Sequence, residues 1–424
     1  MISIIQADGT AERKQLDAMR VRAAEKNTDI ECAVREIMET VRVRGFDAVV
    51  EYSKRFDGAE PYEISPEQLE LAYQSCPSEL ISALEHARDN IRDYNEKLLS
   101  KTMEWTSPDG GRVGRVVRGL SRVGIYVPGG TAAYPSSVLM NAVPARVAGV
   151  EEIVMVTPPT ENLSAPVLAA AKIAGVDRVI AVGGAQAVAA LTYGAGFIPR
   201  VDKLVGPGNA FVAAAKRLAY GSLDIDMVAG PSEVLVIADE TASAKYVAAD
   251  LLSQAEHDKL ASAVLLTDSM ELAQAVDQEL VRQTAYLSRS EIMETSLRDF
   301  GCIIVCENLK GCVALANEIA PEHLEIVTRQ PRDLLPEIKN AGAVFLGGYT
   351  PEPLGDYLAG PDHVLPTSGT ARFFSPLSVE SFLKTMSVLE FDRAALEPIS
   401  KEIITLAETE RLTAHANSIR VRFE

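Results

Sequence analysis

A glutamine and a histidine in the middle of the chain have the spacing of two ligands on one helix face. Gln254 and His257 stand in the run Leu-Leu-Ser-Gln-Ala-Glu-His, which follows a helical stretch at 243–252. If that helix continues, residues three apart share a face, so the amide oxygen and the imidazole point the same way. This pair predicts half of a metal or substrate site. The competing interpretation is a polar helix end whose histidine caps the last carbonyls.

Four of the five histidines stand in polar, loop-flanked contexts: His257, His323, His363 and His415. The clearest is His323, which directly follows Glu322. An imidazole beside a carboxylate suits proton transfer near neutral pH. Imidazole, carboxylate and amide oxygen together also suit zinc or a similar divalent cation. The fifth histidine, His86, lies in a charged amphipathic helix and is expected to be a solvated bystander.

Glycine-containing turns follow several predicted strands, at 127–130, 182–184 and 205–209. Strand-to-helix turns of this kind expose backbone N–H groups that can hold phosphate. None of them matches G-x-G-x-x-G, because the run beginning Gly206-Pro-Gly208 lacks the third glycine. The dinucleotide signal is therefore weak, and tight turns that hold no ligand are the alternative.

Apolar strands and Ala-rich helices alternate from residue 123 onwards. The first series has strands at 123–127, 152–157, 178–182 and 203–205, with helices at 136–147, 165–174, 185–193 and 210–219. The second has strands at 234–238, 263–267, 302–306, 324–328 and 343–345. This alternation indicates parallel sheets covered on both faces. We therefore predict an α/β fold with two Rossmann-like parallel-sheet lobes and a cleft between them.

The flanking segments are predicted to be simpler. Residues 1–20 form a short N-terminal arm, and 28–99 has helical spacing. The C-terminal tail is predicted to be helical at 378–388 and 396–413, with a terminal strand at 419–423.

Composition excludes several classes of function. The 59 acidic and 41 basic residues give a net charge of −18, which disfavours binding to nucleic acid or to an anionic membrane. No run approaches the roughly 18 apolar residues of a membrane span, and the N-terminus lacks the pattern of a signal peptide. The five cysteines form no C-x-x-C pair, and Cys302 and Cys306 are predicted to be buried thiols. A reduced, cytoplasmic location fits best.

Five blocks together resemble the histidinol dehydrogenase family: VGPGNAFVAAAK (205–216), AGPSEVLVIAD (229–239), SQAEH (253–257), APEHLEI (320–326) and GDYLAGPDHVLPTSGTARF (355–373). The resemblance runs nearly the whole length, in order and in spacing. It implies oxidation of L-histidinol through L-histidinal to L-histidine, with two NAD reduced and one zinc ion per subunit. Asparagine is the more familiar residue where this chain has Asp362, a departure that leaves the implied ligands intact.

The resemblance also implies roles for individual residues. The implied zinc ligands are Gln254, His257, Asp356 and His415, and the implied catalytic pair is Glu322 and His323. The implied NAD contacts are Tyr126, Gln186 and Asn209. The implied substrate contacts are Ser232, Glu410, His323 and the four zinc ligands. Whether His363 touches substrate or only supports its loop is open, with support favoured.

The same resemblance implies a homodimer whose tail reaches the partner's active site. It divides the chain into an arm (1–20), a discontinuous catalytic and zinc-binding α/β domain (21–126 and 232–376), an NAD-binding α/β domain (127–231) and the tail (377–424). In the expected chemistry, His323 removes the hydroxyl or hydrate proton and Glu322 activates the water, although exchanged roles are possible.

Four other functions remain open at this stage. A family relative could oxidise a different small alcohol, such as a sulfonated diol. A covalent aldehyde dehydrogenase could use Cys302, Cys306 or Cys312 as its nucleophile. A non-catalytic zinc-binding module would not need the Glu322–His323 pair, and an acidic scaffold would leave the clustered histidines unexplained.

Overall fold

The computed structural model describes residues 1–24, 28–129, 134–159, 163–228 and 230–424. Two positions named in the glycine-rich turns and sequence blocks, Gly130 and Ala229, lie outside these ranges. Among the described residues, no helix is long and apolar enough to cross a membrane.

The described residues form fifteen strands and seventeen helices, besides three short 3-10 helices. The strands are β1 Ser3–Gln6, β2 Tyr62–Ile64, β3 Met103–Thr106, β4 Arg112–Gly119, β5 Arg122–Tyr126, β6 Glu152–Thr157, β7 Arg178–Ala181, β8 Lys203–Val205, β9 Asp224–Ile225, β10 Glu233–Ala238, β11 Ser262–Thr267, β12 Cys302–Val305, β13 His323–Val327, β14 Ala343–Leu346 and β15 Leu383–Glu390. The helices are α1 Ala11–Ala24, α2 Thr28–Arg44, α3 Phe46–Phe56, α4 Pro66–Ser75, α5 Ser78–Leu98, α6 Pro135–Val147, α7 Ala165–Ala174, α8 Gly184–Tyr193, α9 Ala210–Ala219, α10 Ala244–Ala255, α11 Met270–Thr284, α12 Ser290–Phe300, α13 Leu309–Ile319, α14 Pro331–Leu334, α15 Glu352–Tyr357, α16 Arg393–Thr409 and α17 Thr413–Arg420.

Two six-stranded sheets carry the fold. Sheet A has the order β1-β12-β11-β10-β13-β14 and is parallel throughout. Sheet B has the order β2-β7-β6-β5-β8-β9 and is parallel except for the short edge strand β2. The strand order reverses between β10 and β13 in sheet A and between β5 and β8 in sheet B. In open α/β sheets, ligands bind in the crevice that such a reversal leaves at the carboxyl ends of the strands.

Both sheets are covered on both faces, as the continuous apolar strands predicted. In β10, Val234 and Val236 pack into one helix layer, whereas Leu235 and Ile237 pack into the opposite layer. Successive strand residues point to opposite faces, so a strand buried on both sides must be apolar at every position. The two-lobed α/β architecture is therefore confirmed.

Helices α2 to α5 pack on sheet B. Val34 of α2 and Val49 of α3 share one apolar core with Val154 of β6, while Leu84 and Ile91 of α5 share the other core with strand β5. Strand β5 itself belongs to sheet B. The domain limits remain a prediction, and we propose moving the first of them so that 28–126 joins 127–231.

The C-terminal tail differs from the prediction in two places. The helix predicted at 378–388 is wrong: a 3-10 turn at Val379–Phe382 leads into strand β15, which pairs antiparallel with β4 in a three-stranded sheet C, of order β15-β4-β3. The strand predicted at 419–423 is also wrong, because Ile419 and Arg420 end helix α17 and no strand follows. Partner strands satisfy backbone groups, and a local sequence pattern does not reveal where a partner lies.

The N-terminal arm contributes an edge strand. Residues Ser3–Gln6 pair in parallel with β12 and extend sheet A by one strand. Helix α1 follows it.

Candidate functional site

The predicted catalytic pair lies at the amino end of sheet A. Glu322 immediately precedes β13 and His323 is its first residue, beside Val234 of β10. Both side chains are buried, with relative exposures of 5% and 4%. Charged or polar groups at such depth need partners. Both partners come from Glu233, at the start of β10.

The backbone of Glu233 fixes the state of His323. Nδ1 of His323 lies 3.0 Å from the carbonyl oxygen of Glu233. A carbonyl only accepts, so Nδ1 carries the proton and Nε2 keeps its lone pair. Nε2 is buried and has no hydrogen-bond partner among the described residues. Burial also lowers the pKa of His323 to about 4, which keeps the ring neutral. His323 is therefore arranged as a base.

The carboxyl group of Glu322 is held by the same residue. Its Oε2 accepts the backbone N–H of Glu233 at 2.8 Å. Burial raises the pKa of Glu322 well above its ordinary value, and the nearby carboxyls of Glu352 and Asp356 act in the same direction. The protonated form is thus favoured, and a positive charge entering the site would act in the opposite direction.

Three side chains form a candidate cation site beside this pair. One ligand atom each from His257, Glu352 and Asp356 lies within 4.8 Å of the others. Asp356 Oδ1 is 4.0 Å from Nε2 of His323, so the cluster adjoins the free lone pair. His257 and Asp356 were expected here from the sequence, whereas Glu352 was not.

The surroundings of Gln254 also indicate a cation site. Its side chain is fully buried, and neither Oε1 nor Nε2 has a hydrogen-bond partner within the described ranges. A buried amide without partners costs free energy, on the order of 1–3 kcal/mol. The part of this cost that comes from the oxygen is removed if the amide oxygen binds a ligand that the protein itself does not provide. Its location one residue before the end of α10, three residues before His257, suits a cation held by both.

The electrostatics of the cluster suit a cation as well. Burial raises the pKa of Asp356 to about 6, and burial together with Asp356 raises that of Glu352 to about 8. Desolvation lowers the pKa of His257. All three shifts favour the uncharged form of each group, and a bound divalent cation would oppose the two acid shifts by stabilising the carboxylates.

Two expected site residues lie away from this cluster. His415 in α17 and Glu410, which follows α16, are both exposed. In α16 only Ser400 and Ala407 are buried, and in α17 only Ala416. Within one subunit, neither residue belongs to the group formed by His257, Glu352 and Asp356. Ser232, in contrast, directly precedes Glu233 and is half-buried.

The loop after α15 links the two lobes. Nδ1 of His363 donates to the backbone oxygen of Asp356 at 3.1 Å, and Nε2 lies 3.4 Å from Oγ of Ser137 at the start of α6. His363 thus links the backbone of Asp356 to helix α6 of the sheet B lobe. Its neighbour Asp362 is buried, with Oδ1 accepting the N–H of Val364 and Oδ2 unpartnered among described residues.

The three expected NAD contacts lie at the carboxyl ends of the sheet B strands. Tyr126 ends β5 and Asn209 caps α9 after β8, on the two sides of the strand-order reversal. Gln186 lies in the first turn of α8, after β7. Asn209 Oδ1 accepts the N–H groups of Phe211 and Val212. This is the location where α/β sheets bind dinucleotides, even without the glycine fingerprint.

Close packing explains why glycine occupies position 206, in the turn between β8 and α9. Gly206 has φ +106°, and a Cβ there would lie 2.2 Å from the carbonyl oxygen of Tyr126. Only glycine fits.

Asp57, at the end of α3, is a second residue that the sequence did not suggest. Its Oδ2 accepts from Nε2 of Gln186 at 3.1 Å and from the N–H of Gly183 at 3.3 Å, and so orients that glutamine. Nothing local marks Asp57. Glu352, by contrast, stands four residues before Asp356, and that one-turn spacing could have indicated it.

The three cysteines considered as nucleophiles are buried, which disfavours covalent catalysis. Cys302, Cys306 and Cys312 lie in the buried core of sheet A. Burial raises the pKa of the Cys302 thiol to about 12, so it is not a nucleophilic thiolate.

Comparisons with known proteins agree with one another. A family model described as histidinol dehydrogenase matches residues 20–423. A histidinol dehydrogenase from Clostridium acetobutylicum is 51% identical over 428 residues, covering 100% of this chain and 99% of the relative. One from Caldanaerobacter subterraneus subsp. tengcongensis is 57% identical over 408 residues, covering 95% and 94%. The crystal structure of histidinol dehydrogenase from Elizabethkingia anophelis is similar with a TM-score of 0.94 at 34% identity, covering 100% of this chain and 98% of that one.

Proposed function

Because the chain belongs to the histidinol dehydrogenase family, a family of oxidoreductases, we propose that it oxidises L-histidinol through L-histidinal to L-histidine with the reduction of two NAD. This reaction on a small-molecule substrate would be the last step of histidine biosynthesis. We propose that it takes place in the cytoplasm. The observation that carries the proposal is the buried His323, whose free Nε2 adjoins the His257–Glu352–Asp356 cluster.

We propose that His323 is the base of both oxidations. Its Nε2 would accept the hydroxyl proton of the alcohol and then the proton of the aldehyde hydrate, as each hydride leaves. NAD, when bound, supplies the hydride acceptor. The neutral ring and the fixed tautomer support this role, since the lone pair needs no prior deprotonation.

Glu322 is proposed to activate the water that attacks the aldehyde. In the protein alone, burial raises the pKa of its carboxyl group. Binding of a cationic substrate and a divalent metal would favour the carboxylate, because an opposite charge nearby stabilises the ionised form. Adjacent positions in the chain hold both groups at one reacting carbon, which lowers the cost of orientation.

The metal is proposed to be zinc, held by Gln254, His257 and Asp356 together with His415 of the partner subunit. Zinc, when bound, would anchor the imidazole and amine nitrogens of the substrate. The partnerless amide of Gln254 and the clustering of His257 with Asp356 support this donor set. Ser232 and the partner's Glu410 are proposed to contact the substrate, and Tyr126, Gln186 and Asn209 to contact NAD.

A homodimer with exchanged tails is proposed because the tail is exposed. Sheet C and the helices after it leave large apolar side chains open to solvent: Met103, Trp105, Met386, Leu389, Leu406 and Val421. Exposed large apolar side chains in one part of the fold support an interaction surface there. A partner that covered it could supply His415 and Glu410 to the first subunit's site.

The test is the amount of NADH formed per L-histidinol consumed, with and without a chelator. We expect two NADH per substrate, loss of activity on chelation and its return with zinc. One NADH would contradict the second oxidation and the role of Glu322. If no NADH forms in the presence of zinc, the result would favour a different substrate, another small alcohol, as in a relative of the family.

A further inference from the structure

We propose that Glu325 and Asp250 form a carboxyl pair that positions helix α15, and with it Glu352 and Asp356, for cation binding. This inference rests on the proposed function and concerns residues that neither bind the cation nor touch the substrate. They act through the backbone of α15.

Glu325 is an unusual residue for its location. It lies in the middle of β13, a strand buried at all five positions, and is itself 1% exposed. Leu324 and Ile326 pack into one core layer, so Glu325 points to the other face of the sheet, together with His323. Packing alone would place an apolar residue there, because a buried carboxyl costs free energy unless it is hydrogen-bonded.

The hydrogen bonds of Glu325 explain its presence. Its Oε1 accepts the backbone N–H of Glu352 at 2.8 Å, in a fully buried contact. Glu352 is the first residue of α15, and the residue before it is Pro351, whose side chain cannot cap the helix. Glu325 therefore caps α15 from another element, satisfying an N–H that the helix leaves unpaired.

Asp250 connects this cap to helix α10. Its carboxyl group lies close enough to that of Glu325 for the two to interact directly. A hydrogen bond between two carboxyl groups requires a proton on one of them. Asp250 is one turn before Gln254, and Ser253 Oγ contacts Oε2 of Glu352 at 3.3 Å.

The pair thus joins the three elements that supply the site. Helix α10 carries Gln254, strand β13 carries His323, and helix α15 carries Asp356. Cation ligands must be held to within a fraction of an ångström, and the groups behind them provide that support. Removing the pair should loosen α15 without unfolding the lobe.

The experiment compares two substitutions of Glu325 in the full-length protein. Glu325→Met removes both hydrogen bonds at similar length, whereas Glu325→Gln retains an acceptor for Glu352 and a donor for Asp250. The readouts are zinc affinity by chelator competition, the visible spectrum of the Co²⁺-substituted protein, and the unfolding temperature of the metal-free protein. We expect Glu325→Met to weaken zinc binding by about 10–100-fold and to alter the Co²⁺ spectrum. Glu325→Gln should remain close to the parent protein in both.

A matched control separates positioning from general stability. Asp239 is also buried and accepts a backbone N–H at 2.8 Å, from Arg329, but it directly follows β10, at the carboxyl end of the strand and away from His323 at the amino end of β13. Asp239→Leu should lower the unfolding temperature and leave zinc affinity unchanged. If Glu325→Met behaves in the same way, the pair is merely structural and the inference is wrong.

Two further outcomes are distinguishable. If Glu325→Met does not fold, Asp250→Leu, at a half-buried position, removes the partner of Glu325 and should weaken zinc binding in the same direction; unchanged binding would overturn the inference. If the parent protein binds no zinc, the proposed function fails first, before any variant is compared.

Discussion

The imidazole of His323 donates from Nδ1 to the carbonyl oxygen of Glu233, 90 residues earlier in the chain and 3.0 Å away. This single bond leaves Nε2 as the nitrogen that can accept a proton. It also places that nitrogen toward Asp356, at the edge of the candidate cation site. A backbone carbonyl of one parallel strand thereby determines the chemistry of a side chain on the next.

Replacing that imidazole should affect turnover more than binding. We expect His323→Gln to lower kcat by about 10²–10⁴-fold, with a smaller change in KM, because general-base catalysis contributes that much to a proton-transfer step. Steady-state NADH formation measures both constants. His86→Gln, at an exposed position of α5, is the control and should leave them unchanged. Equal loss in both variants would contradict the assigned base.

Glu322→Gln tests the second oxidation separately. The amide keeps an oxygen that accepts the N–H of Glu233 but cannot take a proton from water. We expect oxidation of added L-histidinal to slow by about 10²-fold or more, measured as NADH formed from the aldehyde. A variant that oxidises histidinal at the parent rate would show that Glu322 does not activate the water.

Exchange of tails between subunits can be tested by complementation. We expect His323→Gln and His415→Asn to be inactive as separate homodimers. In a mixed dimer, one site combines an intact His323 with an intact His415 from the other chain, so co-expression should restore activity. Measuring NADH formation in the purified mixture decides the matter. No recovery in a verified heterodimer would mean that each tail serves its own subunit.

The buried side chain of Asp362 should make the free energy of unfolding depend on pH. Burial, followed by the charge of Asp226, raises the pKa of Asp362 well above its ordinary value. The protonated acid is therefore favoured by folding. This stability is fully present below the unfolded pKa, near 3.9, and declines by about 1.4 kcal/mol per pH unit as pH rises toward the folded pKa.

Asp362→Asn removes that ionisation and keeps an oxygen for the N–H of Val364. We expect the variant to unfold at a higher temperature than the parent at about pH 8, with the difference shrinking toward about pH 4. Thermal unfolding across this range is the measurement. A difference that stays constant with pH would contradict the explanation.

A buried ion pair supports the turn before Asn209. Lys216 pairs with Asp226, and both are almost fully buried. Nζ of Lys216 donates to the backbone oxygen of Gly206 at 2.8 Å. Oδ2 of Asp226 accepts the backbone N–H of Gly206, also at 2.8 Å. Lys216→Met leaves Asp226 charged and unpaired, so the free energy of unfolding should fall by about 3–5 kcal/mol in urea denaturation.

The control for this variant is an exposed ion pair. Lys259 and Glu291 are 3.2 Å apart with side chains 53% and 87% exposed. Lys259→Met should change the free energy of unfolding by less than about 1 kcal/mol. Comparable losses in the two lysine variants would show that burial of the Lys216 pair is not what matters.

Much of the architecture could be predicted from local patterns alone. Apolar strands alternating with Ala-rich helices require parallel sheets covered on both faces, and that requirement holds without knowing which strands pair. The adjacency of Glu322 and His323, and the three-residue spacing of Gln254 and His257, are likewise properties of the chain itself.

The tertiary structure decided everything that depends on contacts between distant residues. It determined that β15 pairs with β4, where the sequence predicted a helix, because a partner strand can outweigh local spacing. Pairing of β10 with β13 brought Glu233 to His323 and so selected the nitrogen that can act as a base. Glu352 became part of the cation cluster because Glu325 of β13 holds the start of α15. Local sequence encodes the type of each residue and element, whereas burial and hydrogen-bond partners, which set the charge and tautomer of the site, exist only once the chain has folded.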